Sequence, residues 1–366
     1  MIRSAMNPKL LADISAAISN ATQRSFTLRN FSSVNGGSIN ETSRLEGTNG
    51  ERYFLKLNDA RHLPIPSTWL RTGFAAEAQG LEAIAATNTI RVPHAIAYGS
   101  ANGQSYLVLE HLELGHRGNA KLLGEQLAAL HRCKTPHFDS NTNSAIEEPE
   151  PFDTPIMRAT QGERSVTKKS GTTPFVLSTL HSKVYRSMNG EKSARFGFAH
   201  DNFIGTTPQP NGWKVDWIDF WREHRLGFQL QLAEQNGYGG QLQSLGEKLM
   251  DALPAFFKDY TPQPSLLHGD LWNGNHAYLQ DGTPTIFDPA TYYGDRECDL
   301  AMTELFGGYS EDFYTAYRAA FPLDAGYATR KTLYNLYHIL NHANLFGGGY
   351  ARQAEGMIRR LLMKWD

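Results

Sequence analysis

The first third of the chain alternates between helical and strand-like spacing of its apolar residues. Near the N-terminus, apolar residues recur at helical spacing: Leu10, Leu11, Ile14, Ala17 and Ile18. Residues 26–57 indicate strands, two of them joined at an Asn49-Gly50 turn of the kind that hairpins favour. An Ala-rich helix over 71–88 and two further strands follow. This order predicts a small α+β lobe over residues 1–112.

Residues 113–366 show a mainly helical pattern and predict a second, larger lobe. Amphipathic spacing indicates helices over 119–132, 216–235 and 239–257. Residues 134–194 interrupt this pattern, because they contain five prolines, an acidic stretch and few apolar residues. They predict a long exposed insertion with one helix over 175–185, and long loops of this kind are functional or disordered.

Composition excludes several classes of protein. Among 366 residues, 35 are Lys or Arg and 37 are Asp or Glu, so the formal charge of −2 gives no basic field for nucleic acid or an anionic membrane. Two cysteines, Cys133 and Cys298, exclude a disulfide-stapled scaffold and fit a reducing compartment. The sequence has no apolar run long enough for a membrane span, and its N-terminus does not resemble a signal peptide. A cytoplasmic location is therefore expected. Either Met1 or Met6 fits as the start.

The chemistry is densest between residues 266 and 300. An apolar pair leads into a loop with His268, Asp270 and Asn275, and an Asp281-Gly282 turn then predicts a hairpin. The returning strand ends at Asp288, which brings the two carboxylates and the amide together. Oxygen ligands without clustered Cys or His suit Mg²⁺ better than zinc.

The spacing from Asp270 to Asn275, with a later Asp288, is the order of catalytic and metal residues in protein kinases. Asp288 is followed by Pro289 and not by Phe-Gly, so the segment departs from the protein-kinase DFG. The alternative, an Asp-rich turn around a surface hairpin, accounts less well for the full spacing.

The first lobe offers matching phosphate-binding candidates. A Gly-rich turn between two strands carries Gly36, Gly37, Ser38 and Asn40, where backbone N–H groups can approach phosphates. A plain hairpin turn is the alternative, and the segment is not a Walker-type loop.

Lys56 lies on an apolar strand and needs a partner if it points inward. Glu77 on the following helix is the natural partner, and Glu82 on the same helix is a rival. Backbone groups near Glu110 and Leu112, at the junction of the lobes, are candidates for binding adenine, although an ordinary strand shows the same pattern.

These segments resemble the fructosamine kinase (ketosamine-3-kinase) family, within the wider aminoglycoside-phosphotransferase-like kinases. The resemblance rests on GGSIN, the Lys56 strand, LAALHR, FGFAHDNFIG, HGDLWNGN and DPATYYGDRECDLAM. It implies a two-lobed protein-kinase-like α+β fold that uses ATP and Mg²⁺ to phosphorylate O3 of ketoamines, free or protein-bound. The phosphorylated adduct then breaks down and releases the amine. Residues 134–194 depart from the family pattern.

The resemblance also implies roles for individual residues. Asp270 would orient and deprotonate the sugar hydroxyl, while Asn275 and Asp288 would hold Mg²⁺. Lys56, braced by Glu77, would bind the α- and β-phosphates beneath residues 36–40. Asp299, with His268, would brace the catalytic loop, although a helix N-terminal charge is an equal interpretation of Asp299.

Candidates for the acceptor side come from polar and aromatic residues near these motifs. They are His200, Asp201, Asn202, Trp217, Trp272, Tyr292 and Arg296. Polar residues at 200–202 also suit a turn, and Trp217 also suits a core. Trp272 lies nearest in sequence to Asp270.

Two other functions fit parts of the pattern. One is a kinase for another small alcohol, such as an aminoglycoside or an amino alcohol. The other is an inactive nucleotide-binding scaffold, which the full set of Lys56, Asp270, Asn275 and Asp288 argues against. The oligomeric state is left open by the sequence.

Overall fold

The computed structural model describes residues 7–34, 40–59, 67–134 and 195–364. The predicted contacts of Gly36, Gly37 and Ser38 lie outside these residues. So do the predicted insertion, apart from its first residue, and the helix over 175–185.

The first lobe is an antiparallel sheet of five strands in the order β1-β2-β3-β5-β4. Its strands are β1 (Leu28–Ser33), β2 (Glu41–Gly47), β3 (Arg52–Asp59), β4 (Ala95–Ala101) and β5 (Gln104–Glu110). The predicted Asn49-Gly50 turn joins β2 to β3 and is confirmed by their antiparallel register. Gly50 has a φ of 87°, a left-handed conformation that glycine adopts without strain.

Two helices cover the faces of this sheet. Helix α1 (Pro8–Thr22) begins at Asn7, whose side chain caps the first turn, and α2 (Ser67–Ala85) follows β3. The predicted N-terminal helix is confirmed, and its apolar face packs on the sheet in a separate core cluster. Members of that cluster include Leu10, Ile14, Ile18, Leu55 and Val108.

The second lobe is mainly helical, as the sequence predicts. Its helices are α3 (Ala120–Leu130), α4 (Trp217–Trp221), α5 (Phe228–Gln235), α6 (Gln241–Ala252), α7 (Glu297–Leu305), α8 (Glu311–Ala320), α9 (Tyr327–Phe346) and α10 (Tyr350–Leu362). Three antiparallel strand pairs complete it. These pairs are β6 (Asn202–Ile204) with β7 (Thr207–Gln209), β8 (Pro264–Leu267) with β11 (Tyr292–Asp295), and β9 (His276–Tyr278) with β10 (Pro284–Ile286).

One departure from the predicted helices lies between α4 and α5. The pattern predicts a continuous helix over 216–235, but residues Arg222–Gly227 form a π-helical turn. Arg225 in this turn is fully buried and its guanidinium stacks over the rings of Phe220 and Tyr292. The wider π-helical turn accommodates the buried guanidinium of Arg225, and the hydrophobic periodicity of the sequence does not predict this burial.

The lobes contact each other through backbone and side chains. Backbone bridges join Arg91, between α2 and β4, to Thr285, and Leu114, just past the first lobe, to Leu279, so both segments are bonded to the β9–β10 hairpin. Gly80 of α2 packs so closely on Thr291 that a Cβ there would lie 2.8 Å from its hydroxyl. Among the helices described, none is long and apolar enough to cross a membrane.

Candidate active site

The loop that carries Asp270 is held by two paired strands. Strand β8 leads into His268, and β11 returns beside it in antiparallel register. Between them, Gly269 has a φ of 83°, and a Cβ at this position would lie 2.0 Å from the carbonyl oxygen of Ala290. Only glycine tolerates both constraints, so Gly269 lets this loop approach the segment that follows Asp288.

Asn275 lies beside Asp270 and the end of the β9–β10 hairpin. Its Nδ2 donates to the Asp270 carbonyl oxygen at 2.8 Å and to Asp270 Oδ2 at 3.2 Å. The backbone N–H of Phe287 donates to the Asn275 carbonyl at 3.1 Å. The confirmed hairpin therefore brings Asp288, the next residue, back to the loop where it began.

Lys56 joins the two lobes. Its Nζ lies 2.7 Å from Glu77 Oε1 on α2 and 2.5 Å from Asp288 Oδ1 in the second lobe. Burial alone would lower the pKa of Lys56, but the carboxylates of Asp288 and Glu77 reverse this and raise it. The geometry therefore pairs Lys56 with Glu77, and not with the rival Glu82, and keeps it a cation.

Asp288 combines a strained backbone with an accessible carboxylate. Its φ is 59°, a left-handed conformation that costs non-glycine residues about 1 kcal/mol or more. Its side chain is 40% exposed, whereas that of Lys56 is only 4% exposed. Asp288 is thus turned toward the cleft while one of its oxygens contacts Lys56.

Asp270 sits where its carboxylate is hard to ionise. Burial and the negative charge of Asp288 together raise its pKa to about 7, although the hydrogen bond from Asn275 opposes this rise. A carboxylate with a pKa near neutrality is a stronger base than an ordinary aspartate. Such a group can accept a proton from a hydroxyl at physiological pH.

Asp299 holds the backbone of this loop. Its two carboxylate oxygens accept hydrogen bonds from the N–H groups of His268, at 2.7 Å, and Gly269, at 2.8 Å. His131, the residue that follows α3, donates from Nε2 to Asp299 Oδ2 at 3.1 Å and contacts the Tyr317 hydroxyl through Nδ1. Burial would raise the pKa of Asp299, but its bond to His131 contributes to a net lowering, so it stays ionised.

The residues present fit a magnesium ion. Asn275 uses its amide nitrogen toward Asp270, which leaves its amide oxygen for a ligand, and Asp288 keeps one oxygen away from Lys56. The part of the chain that the structure describes contains no group of three or more His, Cys, Asp or Glu side chains able to hold a metal alone. The oxygens of Asn275 and Asp288 match the usual way in which proteins hold Mg²⁺, with one or two protein oxygens together with phosphates and water.

Backbone hydrogen bonds at the lobe junction decide which of the predicted groups can bind adenine. The N–H of Glu110 donates to the His94 carbonyl at 2.8 Å, so Glu110 does not offer this group to a nucleotide. Its carboxylate pairs with Arg91. Leu112, just after β5, stays a proposed contact with adenine.

The end of the Gly-rich segment is bonded to β3, because Asn40 accepts a hydrogen bond from Asn58 at 3.0 Å.

The polar candidates at 200–202 do not form one acceptor-binding set. Asn202 is buried, donates to the Thr291 carbonyl at 2.8 Å and accepts from Gln209 and Asn211. Asp201 accepts from the backbone N–H of Asn211 at 2.7 Å. These bonds favour the alternative interpretation of Asp201 and Asn202, in which the two residues hold the β6–β7 hairpin.

His200 differs from its two neighbours. Its ring packs edge-on against Phe198, and burial lowers its pKa to about 4. Its Nε2 is buried without a hydrogen-bond partner among the described residues. His200 therefore stays a proposed contact with the substrate that accepts the phosphate.

Three other predicted acceptor residues lie in the core. Trp217 is 3% exposed and donates from its indole nitrogen to the Tyr334 hydroxyl at 3.2 Å. Tyr292 is buried in β11, stacked on Phe220. Arg296 is 7% exposed and donates to the Phe321 and Pro322 carbonyls. Because all three side chains are buried, and Trp217 and Arg296 donate to groups within the protein, the geometry favours structural roles for them over contacts with the acceptor.

Trp272 is placed differently. Its side chain is 39% exposed, two residues after Asp270. Its indole lies over Gly274, where a Cβ would come within 2.3 Å of the ring. Its backbone carbonyl accepts from the Tyr309 hydroxyl at 3.1 Å. Trp272 is thus held beside the proposed base with part of its ring open to solvent.

Comparison with known proteins decides the family. The model of the fructosamine kinase family matches residues 10–149 and 168–364. The chain belongs to the fructosamine kinase family. Between the two matched stretches only residues 150–167 are unmatched, so the segment that departs from the family is shorter than the 134–194 that the sequence predicts.

Curated and solved relatives agree with this family. A Synechocystis sp. protein named "Probable ketoamine kinase" is 42% identical, covering 95% of this chain and 96% of its own. The "Protein-ribulosamine 3-kinase, chloroplastic" of Arabidopsis thaliana is 36% identical over 89% of this chain and 80% of its own. A crystal structure named "Putative fructosamine-3-kinase", from Haemophilus somnus, is 25% identical with a TM-score of 0.71, covering 95% and 96% of the two chains. The protein is therefore a fructosamine-kinase-family enzyme with the kinase-like fold that the sequence predicts.

Local sequence patterns do not reveal the residues that hold the loops of Asp270 and Asp288 in place. His131 lies in the LAALHR segment but was given no role, because a histidine on an apolar helix face shows no partner in sequence. Gln209 donates to the Ala290 carbonyl at 3.0 Å and accepts from Tyr337, so it holds the segment after Asp288. Its partners lie 81 and 128 positions away, which no local pattern indicates.

Proposed function

We propose that this protein is an ATP-dependent kinase that phosphorylates the O3 hydroxyl of ketoamines. The observation that carries this proposal is the meeting of Lys56, Glu77 and Asp288 with the Asp270–Asn275 pair. Phosphoryl transfer needs a phosphate-binding cation, metal-holding oxygens and a base, and this arrangement supplies all three. Membership of the fructosamine kinase family supports a ketoamine as acceptor.

Asp270 is the proposed base. Its raised pKa of about 7 lets the carboxylate take the hydroxyl proton as the sugar oxygen attacks the γ-phosphorus. Asn275 donates to this carboxylate and so holds it in one orientation. Asp299 fixes the backbone on which Asp270 stands, through its bonds to His268 and Gly269.

Lys56 is the proposed phosphate contact. Without nucleotide it is paired with Asp288 and Glu77, and its ammonium lies where β3, α2 and the second lobe meet. We propose that the phosphates replace Asp288 as its partner while Glu77 keeps the ammonium in place. Residues 36–40 would then cover the phosphates from the first lobe.

Asn275 and Asp288 are the proposed Mg²⁺ ligands. A bound magnesium ion would neutralise charge on the phosphates during transfer. The carboxylate of Asp288 is exposed enough to reach such an ion, and the left-handed backbone holds it in that position.

The proposed acceptor is based on the names of the relatives. Those named ketoamine kinase and protein-ribulosamine 3-kinase point to sugar–amine adducts such as fructosamines and ribulosamines. Phosphorylation at O3 makes the adduct unstable, so the proposed outcome is release of the amine. Both small-molecule adducts and glycated proteins in the cytoplasm are acceptors of this class.

An ADP-release assay tests the proposal. Purified protein with Mg-ATP is offered fructosyl and ribulosyl amines, an aminoglycoside and an amino alcohol, with Asp270→Asn as the inactive control. We expect turnover with ketoamines, and two-dimensional ¹H–³¹P NMR should place the phosphate on O3. Turnover with the aminoglycoside or the amino alcohol alone would reject the ketoamine assignment. ATP binding without turnover on any acceptor would support a nucleotide-binding scaffold instead.

A further inference from the structure

Five aromatic side chains form a continuous row that starts at the catalytic loop. We call this row the aromatic strip, and its members are Trp272, Phe306, His342, Phe346 and Tyr350. The Trp272 and Phe306 ring centroids lie 6.5 Å apart, and those of Phe306 and His342 lie 4.9 Å apart. His342 then contacts Phe346 at 5.5 Å and Tyr350 at 5.2 Å. The strip thus connects the reaction centre to the turn between α9 and α10.

The outer end of the strip is apolar and open to solvent. Phe346 is 57% exposed although it is the last residue of α9, and Trp272 at the inner end is 39% exposed. Scattered exposed apolar residues need no explanation, but a row of touching rings beginning beside a base does.

The backbone around the strip holds these rings in place. Gly347 and Gly348 have φ values of 65° and 66°, so a sharp turn after Phe346 leads directly into Tyr350 at the start of α10. His342 Nδ1 donates to the His338 carbonyl at 2.8 Å, which fixes the central ring. The strip is therefore built from three helix ends, those of α7, α9 and α10, and from the loop that carries Trp272.

We infer that the strip beyond Trp272, made of Phe306, His342, Phe346 and Tyr350, binds the amine half of the ketoamine and favours amines that carry an aromatic group. This inference rests on the proposed function, because O3 of the sugar must then lie at Asp270. In a ketoamine the nitrogen is attached to C1, three bonds from C3, so the amine half must extend away from the base. Lys56, Asp288 and Asn275 occupy the nucleotide side of Asp270, while the strip begins two residues from it.

The chemistry of the amine half matches aromatic rings. The nitrogen of a ketoamine is a secondary amine that is cationic when protonated, and aromatic faces attract such cations. An aromatic substituent on this amine would add ring-to-ring contacts, which are worth more than their buried area alone. An amine with no apolar substituent would lose these contacts while its sugar still reached Asp270.

Phe346→Ala tests this inference, because an exposed side chain can be removed without opening the core. The acceptors are the benzylamine and methylamine adducts of one sugar, fructose or ribulose, whichever series the wild-type enzyme phosphorylates. We expect the wild type to prefer the benzylamine adduct. The variant should lose about five- to tenfold in kcat/KM for that adduct, through KM, and less than about twofold for the methylamine adduct.

Two further variants keep the test specific. Phe346→Tyr retains the ring and should retain the preference for the benzylamine adduct. Met363→Ala removes another exposed apolar side chain, 75% exposed, just beyond the far end of α10, and should leave both adducts unaffected. Equal losses on both adducts in Phe346→Ala, or no loss on the benzylamine adduct, would overturn the inference. If the wild type phosphorylates neither series, the proposed function itself fails, and this inference falls with it.

Discussion

The proposed nucleotide side and the proposed acceptor side of the site are built in different ways. On the nucleotide side, the charged groups are paired, as the buried ammonium of Lys56 is with Glu77 and Asp288. On the acceptor side, Trp272 and Phe346 present partly exposed rings whose contacts are with other rings. Charges need fixed partners because an unpaired buried charge is costly, whereas rings tolerate varied ligands. Changes on the first side should therefore alter catalysis or nucleotide binding, and changes on the second should alter the choice of acceptor.

The largest effect is expected for Asp270→Asn. The amide keeps the shape of the side chain but cannot accept the hydroxyl proton, so kcat should fall by about 10²–10⁴-fold. ATP binding should change little, because Lys56 and Asp288 are untouched. Steady-state kinetics and isothermal titration with ATP measure the two quantities. Asp281→Asn, in the exposed turn of the β9–β10 hairpin, is the control. Near-normal turnover in Asp270→Asn would remove this residue from the mechanism.

A somewhat smaller effect is expected for Asp288→Ala. Binding of Mg-ATP should weaken by at least about tenfold, or about 1.4 kcal/mol, because one metal ligand is lost. Binding of metal-free ATP should weaken less, since the same change removes a negative charge that repels phosphates and frees Lys56 from one partner. Isothermal titration with and without Mg²⁺ measures the difference. Asp312→Ala, at the exposed start of α8, is the matched control. Equal weakening under both conditions would show that Asp288 is purely structural.

The same contrast explains what the sequence could and could not predict. Asp270, Asn275 and Asp288 lie in one short segment, and a single hairpin signal was enough to bring them together. Lys56 and Glu77 lie 21 positions apart on adjacent elements, and a lysine on an apolar strand already demands a partner. Charged residues in apolar surroundings therefore reveal their role through the free-energy cost of burying them. The fold was predictable for a similar reason, because helical and strand periods alternate clearly along both lobes.

The acceptor side was less predictable, since an aromatic residue shows the same pattern in a core and in a binding site. Trp217 and Trp272 are both tryptophans near family motifs, yet Trp217 is buried against Tyr334, a residue 117 positions later. The contacts among Phe306, His342 and Tyr350 depend on how α7, α9 and α10 pack, which local spacing does not specify. His131 was missed for the same reason, because its partners Asp299 and Tyr317 lie on distant helices.

A moderate effect is expected from the support behind the catalytic loop. His131→Leu removes the donor to Asp299 Oδ2 and the His131 contact of the buried Tyr317 hydroxyl, which then keeps only the hydrogen bond that Arg296 donates to it. We expect the variant to lose about 1–3 kcal/mol of unfolding free energy. We also expect kcat to fall by about three- to tenfold with the KM for ATP unchanged, because Asp299 would hold Asp270 less firmly.

His131→Gln separates positioning from stability, since its amide can still donate to Asp299. Recovery of kcat in this variant, with stability still reduced, would support positioning of the loop by His131. Chemical denaturation and steady-state kinetics on both variants measure the two effects. A loss of stability with unchanged kcat in His131→Leu would make the contact structural alone.

The smallest kinetic effect is expected for Trp217→Phe, because this tryptophan lies on neither side of the site. Its ring packs against Phe196, Phe220 and Trp221. The smaller ring leaves a cavity and removes the donor to Tyr334, so unfolding free energy should fall by about 1–3 kcal/mol. Values of kcat and of KM for ATP and the ketoamine should stay within about twofold of wild type, since no bond of Trp217 reaches Asp270. Thermal melting and steady-state kinetics measure both. A KM for the ketoamine raised tenfold at unchanged stability would return Trp217 to the acceptor site and would mean that rings in the core, and not only those of the aromatic strip, select the substrate.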